Sequence, residues 1–146
     1  LFGDLYQTTD LKPINKKFFT LVSKKKGSKK SVEDLIFSLK VAKHLKSNAV
    51  VLSRNKQTLG LGNGQTNRVD ALNFALRNMR KYFKKGYFVC ASDGFFPFTD
   101  SIRLLNKNGC SVVAQPSGSI NDELIRSFCV KNKISLYFTK NRLFKH

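Results

Sequence analysis

The segment Gly60-Leu61-Gly62-Asn63-Gly64 carries the clearest hint of ligand chemistry in this sequence. Alternate glycines just before an amphipathic stretch leave backbone N–H groups able to approach an anion at a helix N-terminus. The spacing is neither the dinucleotide fingerprint nor a P-loop, since no Gly-Lys-Ser/Thr follows. A tight strand-to-helix turn accounts for it equally well. Arg68 opens the next helix and offers a planar, permanently charged fork to an anion or a carboxamide. The alternative, in so basic a chain, is an ordinary surface arginine. Lys43-His44 ends a helix, where cations suit the dipole, and reads as structural. No Ser/His/Asp order, HExxH or paired carboxylate stands out. No HxE…PCxxC zinc-deaminase pattern occurs either. Cys90, Cys110 and Cys129 form no CxxC pair, so no metal-ligand spacing is present and no zinc is expected. Lying in apolar runs, they read as buried free thiols of a reducing compartment, which points to the cytoplasm.

The elements that must position these residues follow from hydrophobic periodicity. Residues 1–30 read as a lead-in with a possible strand over 18–22 and a loop carrying Lys24, Lys25, Lys26, Lys29 and Lys30. Ser31-Val32-Glu33-Asp34 has capping-box spacing with Asp in place of Glu. Leu35, Ile36, Leu39, Ala42 and His44 then predict a helix over about 32–45. Strands are expected over 48–53 and 58–61, joined by a turn at 54–57. A helix over about 67–83 places Val69, Leu72, Leu76 and Met79 on one face. A strand over 87–92 leads to a turn at 93–98, because Pro97 cannot donate to a ladder. Asp100 is the expected cap of a helix over 100–107. A strand over 111–114, a loop over 115–119, a helix over 122–131 capped by Asn121, and a strand over 134–138 complete the chain. Alternating strands and helices predict an α/β layered sheet with parallel neighbours, residues 31–146 forming one unit. Ligands of such sheets gather at the loops beyond the strands' carboxyl ends, here 60–67, 93–100, 115–121 and 139–146.

Composition bounds the function classes. The 146 residues carry a formal charge of +18, which would attract phosphates and raises nucleic acid as a partner. Yet the bias is to lysine, with the basic loop readable as a solvated segment. Enrichment in Lys, Asn and Phe is also what an AT-rich genome produces, so nucleic-acid binding is not the favoured reading. No run approaches the roughly 20 apolar residues of a membrane span. The chain opens Leu1-Phe2-Gly3-Asp4 and its one methionine is Met79, which suggests a piece of something longer.

Laid end to end, the loop motifs resemble one family. Lys43-His44-Leu45-Lys46-Ser47-Asn48-Ala49 is similar to the Lys-His-x-Lys-Ser-Asn-Ala segment of the bifunctional purine enzymes that combine AICAR transformylase with IMP cyclohydrolase. Thr58 to Asp70 resembles their Thr-x-Gly-x-Gly-x-Gly-Gln-x-Ser-Arg-x-Asp, and Ser92-Asp93-Gly94-Phe95-Phe96-Pro97-Phe98 their Ser-Asp-Ala-Phe-Phe-Pro-Phe. Gln115-Pro116-Ser117-Gly118-Ser119-Ile120-Asn121-Asp122 is similar to Gln-Pro-Gly-Gly-Ser-x-x-Asp, and Arg142-Leu143-Phe144-Lys145-His146 to the ending Arg-x-Phe-x-His. Gly3-Asp4-Leu5-Tyr6-Gln7 fits the subdomain's opening. The short stretch between Arg68 and Phe95 is like the bacterial form.

The resemblance implies a three-layer α/β/α sandwich, cytidine-deaminase-like and without zinc, as the second subdomain of a tandem. It implies formyl transfer from 10-formyltetrahydrofolate to AICAR by a homodimer with shared sites. Asn48, Arg68, Phe95, Asp100 and His146 would contact the ribonucleotide. Asn67, Pro97, Phe98, Ser119 and Phe144 would border the folate. The catalytic Lys-His pair and the cyclohydrolase domain would lie outside this chain, leaving it inactive alone. Three departures stand out: Asn67 replaces Ser, Gly94 replaces Ala, and Ser117 replaces Gly. The last two are expected to be neutral.

Overall fold

Alternation of side chains along the strands fixes the architecture. In the computed structural model, which describes residues 13–145, six strands and four helices alternate along the chain. They are β1 (Phe19–Leu21), α1 (Lys29–Ala42), β2 (Val50–Arg54), β3 (Gln57–Gly62), α2 (Arg68–Tyr82), β4 (Phe88–Ser92), α3 (Thr99–Lys107), β5 (Cys110–Pro116), α4 (Asp122–Lys131) and β6 (Ser135–Thr139). Val50, Leu52, Phe88, Cys90, Val113 and Leu136 point to the face packed by α2, α3 and α4. Val51, Val89, Ala91, Val112, Ala114 and Tyr137 point to the opposite face, against Leu35, Leu39 and Ala42 of α1. Strands buried on both faces read as continuous apolar runs, and helices on both faces give three layers. The opening motif at 3–7 and His146 lie outside the described residues.

The sheet order is β1-β6-β5-β4-β2-β3. Parallel neighbours are found at β4–β5 and β5–β6. The β2–β3 pair is antiparallel, as the turn expected at 54–57 requires, and the expectation of parallel neighbours fails where β2 meets β4 and β1 meets β6. For β2 the reason is local. Asn55 and Lys56 both have positive φ and close a two-residue hairpin between Arg54 and Gln57, a geometry that reverses the chain at once.

Helix α1 starts three residues earlier than Ser31 spacing suggests. Ser28 is the N-cap, accepting from the Ser31 amide at 3.1 Å, and the helix ends at Ala42 with His44 in the turn beyond. Asp34 is therefore no capping residue. Buried, its carboxylate accepts from the Asn55 and Lys56 amides at 2.9 and 2.7 Å and braces the hairpin turn. Asp100 is likewise inside α3, behind Phe98 at the N-cap. There its charge still suits the helix dipole. Asn121 holds the N-cap position of α4 but makes no capping bond; its Nδ2 donates instead to the Pro97 carbonyl at 2.7 Å. Val69 is exposed, and the buried face of α2 is Arg68, Ala71, Leu72, Ala75, Leu76 and Met79. All three thiols are buried and free, and burial pushes each pKa up, that of Cys129 to about 12.

The alternate glycines explain how α2 lies on β3. A Cβ at Gly60 would run into the Ala75 carbonyl, and one at Gly62 into the Ala71 carbonyl. Gly64, at φ +64, has no neighbour that close and uses its backbone freedom instead. Gly62→Ala should therefore cost upward of about 2 kcal/mol by overpacking, as read by urea denaturation. A loss of only about 1 kcal/mol, the size expected for strain at Gly64→Ala, would mean the helix–strand contact is looser than described.

Candidate functional site

The carboxyl end of β4 collects the chain's one deeply buried ion pair among the described residues. Ser92 and Asp93 are fully buried there, and Arg68, 9% exposed, reaches them from the first turn of α2. Arg68 Nη1 donates to Asp93 Oδ1 and, at 2.9 Å, to Ser92 Oγ; Nη2 donates to Asn48 Oδ1 at 2.9 Å. Asp93 also accepts from the Ala49 amide at 3.0 Å and from Ser47 Oγ at 2.6 Å. Asn48 Nδ2 donates to the Gln65 and Thr66 carbonyls at 3.0 and 3.3 Å, fastening the glycine loop to the start of β2. The tail closes over this cluster, with the Leu143 amide donating to Asp93 O and the Ser47 amide to Lys145 O.

Arg68 is thus not a surface arginine. Its bonds among the described residues use both Nη1 hydrogens and one on Nη2, while Asp93 offsets its charge. The cluster offers directed donors more than net positive charge. The glycines do not form the anion cradle that their spacing allows. Gly60 and Gly62 belong to β3 and its packing, and the Gly64 amide donates to Lys46 O at 2.8 Å.

Aromatic groups border the cluster. Arg142 lies over Phe95 and Phe144, its guanidinium carbon 5.1 and 5.5 Å from the two ring centroids. Phe95, Pro97 and Phe144 are half-buried, and Phe98 is 60% exposed. The Asn121 bond to Pro97 O ties loop 93–98 to loop 115–121, which contains the half-buried Ser119. The Phe96 amide donates to buried Gln115 Oε1 as a second tie. Asn67 is exposed and occupied as the cap of α2, accepting from the Asp70 amide at 2.8 Å. A serine there would cap equally well, so Asn67 preserves the local structure. Asp100 is exposed on the first turn of α3. Lys43 is the C-cap of α1 and His44 is exposed beyond it.

Asp93, the hub, received no role from the sequence, although a carboxylate directly after the all-buried strand Phe88–Ser92 is a legible sign of a buried partner. Gly94 lies against the end of the Arg68 side chain. A Cβ at 94 would run into Arg68 Nη2 and lie 2.7 Å from its Cζ and 3.0 Å from Phe144 Cε1. Among the described residues no group of three His, Cys, Asp or Glu could hold a metal ion, and no helix is long and apolar enough to cross a membrane.

Asp93→Asn keeps the shape but leaves the Arg68 guanidinium buried without its counter-charge. The expected loss is about 3–5 kcal/mol in unfolding free energy, measured by chemical denaturation. A change within about 0.5 kcal/mol, typical of surface substitutions, would contradict the buried pairing.

Residues 1–78, more than half of the chain, match the model of the AICARFT/IMPCHase bienzyme family. The chain is 42% identical over its whole length to the bifunctional purine biosynthesis protein PurH of Buchnera aphidicola, covering 28% of that protein. It is 46% identical to the PurH of Fusobacterium nucleatum and 44% identical to that of Aquifex aeolicus, in each case over 86% of this chain and 25% of the relative. The chain thus spans about a quarter of the length of these relatives. Family model, relatives and loop motifs agree, and the chain belongs to the AICARFT/IMPCHase bienzyme family.

Proposed function

We propose that this chain is the C-terminal subdomain of the transformylase half of a folate-dependent purine enzyme, and that it orients AICAR for formylation. The observation that carries the reading is the buried cluster of Arg68, Asp93 and Asn48 at the carboxyl end of β4, in a chain of this family. In this reading Arg68 serves a carbonyl acceptor. Paired with Asp93, it presents N–H groups with its charge largely offset, which suits a carboxamide oxygen better than a phosphate. Asn48 holds the Arg68 fork and lines the same spot. Phe95 offers a ring face, Asp100 an acceptor for the amine or ribose, and His146 is the fifth proposed nucleotide contact.

The residues proposed to border the folate suit a flat, partly apolar molecule. Phe98 exposes a ring beside half-buried Pro97, and Phe144, Ser119 and the capping Asn67 are the other proposed contacts. 10-Formyltetrahydrofolate supplies the formyl group as cosubstrate. What these residues contribute is orientation. The 5-amino group is a poor nucleophile, its lone pair delocalised into ring and carboxamide, and holding it in place can supply a share of roughly 7–11 kcal/mol. General-base work falls in this reading to a Lys-His pair in a subdomain outside the chain, since Lys43-His44 sits at the end of α1. A cytidine-deaminase-like tandem without zinc, a homodimer with shared sites and a cytoplasmic setting belong to the same proposal.

The test uses the complete enzyme containing this chain. Arg68→Lys can keep an ion pair with Asp93 but loses the planar fork, so kcat/KM for AICAR, measured well below the variant's own Tm, should fall by a factor equivalent to about 2–4 kcal/mol. Lys56→Ala, which removes only a surface pair with Glu33, should stay within about 0.5 kcal/mol. Equal behaviour of the two variants would put the nucleotide elsewhere. The isolated chain with both substrates should show no formyl transfer above the uncatalysed rate. Turnover by it would place the general base within these residues.

A further inference from the structure

At the opposite end of the sheet, the amino ends of β4, β5 and β6 meet the start of α1 around a cavity of about 290 Å³. Its lining includes Lys25, Lys26, Lys30, Ser28, Ser111 and Ser135, and no acidic residue. The lysines bring positive charge. The first turn of the 14-residue helix α1 brings backbone amides, of which the Ser28 cap occupies only that of Ser31. A helix start alone would decide nothing. The independent observation is Ser135, which is 1% exposed, lines the cavity, and has an Oγ with no hydrogen-bond partner. Buried hydroxyls are almost always satisfied, so an orphan at a basic cavity marks a missing acceptor.

The loop that carries the lysines is held in place. Ser23 Oγ accepts from the Leu136 amide at 2.8 Å, and the Gly27 amide donates to Tyr137 Oη at 3.1 Å, fastening both ends of the segment to β6. Such tethering lowers the ordering cost of binding. We propose that this cavity is a second anion site, distinct from the Arg68 cluster, which takes a phosphate group at the N-terminus of α1 with Lys26, Lys30 and Ser135 as donors. The group is either free phosphate or the phosphomonoester of a small sugar phosphate, for which Tyr87 on the cavity wall provides a flat contact. The site accounts for a part of the +18 charge that the Arg68 cluster, with its own counter-ion, does not use.

The test is a titration of the 15N-labelled 146-residue chain with inorganic phosphate, followed by amide shifts and compared with chloride at equal ionic strength. Shifts should centre on residues 27–31 and on Ser135 and saturate. Lys30→Glu should weaken phosphate binding roughly tenfold or more. Ser135→Ala should weaken it several-fold while Tm stays level or rises, because no buried hydroxyl is left unsatisfied. A parallel titration with ribose 5-phosphate separates the sources: tighter binding with added shifts at Tyr87 identifies a phosphomonoester site, and equal affinity a free-phosphate site. Shifts centred on residues 46–68 and 93–95, shifts matched by chloride, or unchanged affinity in either variant would overturn the proposal.

Discussion

A buried guanidinium needs its counter-charge, and that requirement organises one whole end of this molecule. Moving Arg68 and Asp93 out of water costs several kcal/mol per ion unless every remaining donor and acceptor is engaged. The chain meets this with four separate segments. Ser47 and Ala49 donate to the carboxylate, Ser92 and Asn48 accept from the guanidinium, and Leu143 of the tail binds the Asp93 carbonyl. The ion pair gives these segments one common arrangement, and the loops that carry the proposed ligand contacts radiate from it.

The mixed direction of the sheet is what allows this meeting. Because β2 runs antiparallel to β4, its entrance rather than its exit lies beside the carboxyl end of β4, with Val50 opposite Ser92. Ser47 and Ala49 are thereby delivered to Asp93, and Asn48 to Arg68, from the turn after α1. The opposite end of β2 carries Arg54, whose guanidinium lies over the Tyr87 ring, 4.6 Å from its centroid. With β2 parallel, that end would meet Asp93 and the Lys-Ser-Asn segment would be stranded across the sheet. The two-residue hairpin at Asn55-Lys56, braced by buried Asp34, is thus a condition of the site although it lies far from it.

Element order and type were legible in the sequence because the apolar runs are continuous and the helices amphipathic; α4 falls on residues 122–131 as its pattern suggests. Strand direction was legible only at the turn over 54–57. A 3.6 or 2.0 period says which face is buried but nothing about which neighbour a strand pairs with. Capping was barely legible. Asn121 takes the N-cap position of α4 without a capping bond, Phe98 rather than Asp100 holds that of α3, and Ser28 rather than Ser31 caps α1, since Ser-x-x-Ser offers both hydroxyls. Of the proposed site residues, Arg68, Asn48, Phe95 and Phe144 gather around one end of the sheet. The motif resemblance picked them out, whereas charge alone made Arg68 look like surface. Asp93 was missed because its partners lie 25 to 46 residues away in the chain.

The glycines act on the site through packing. Gly60 and Gly62 let the backbone of α2 sit directly on β3, and Arg68 is the first residue of that helix. Its reach to Asp93 is therefore set by how closely α2 approaches the sheet. A methyl group on either glycine must lift the helix or bend the strand, and both displacements move the guanidinium from a carboxylate that cannot follow, because Ser47 and Ala49 hold it. At Gly94 a Cβ would meet only the ends of the Arg68 and Phe144 side chains, whereas at Gly60 and Gly62 it would meet backbone. The two strand glycines thus define where the helix start, and with it the root of one long side chain, must lie. The alternating glycines resemble a phosphate loop in sequence, yet here they are the means by which a helix holds an arginine against the end of a strand.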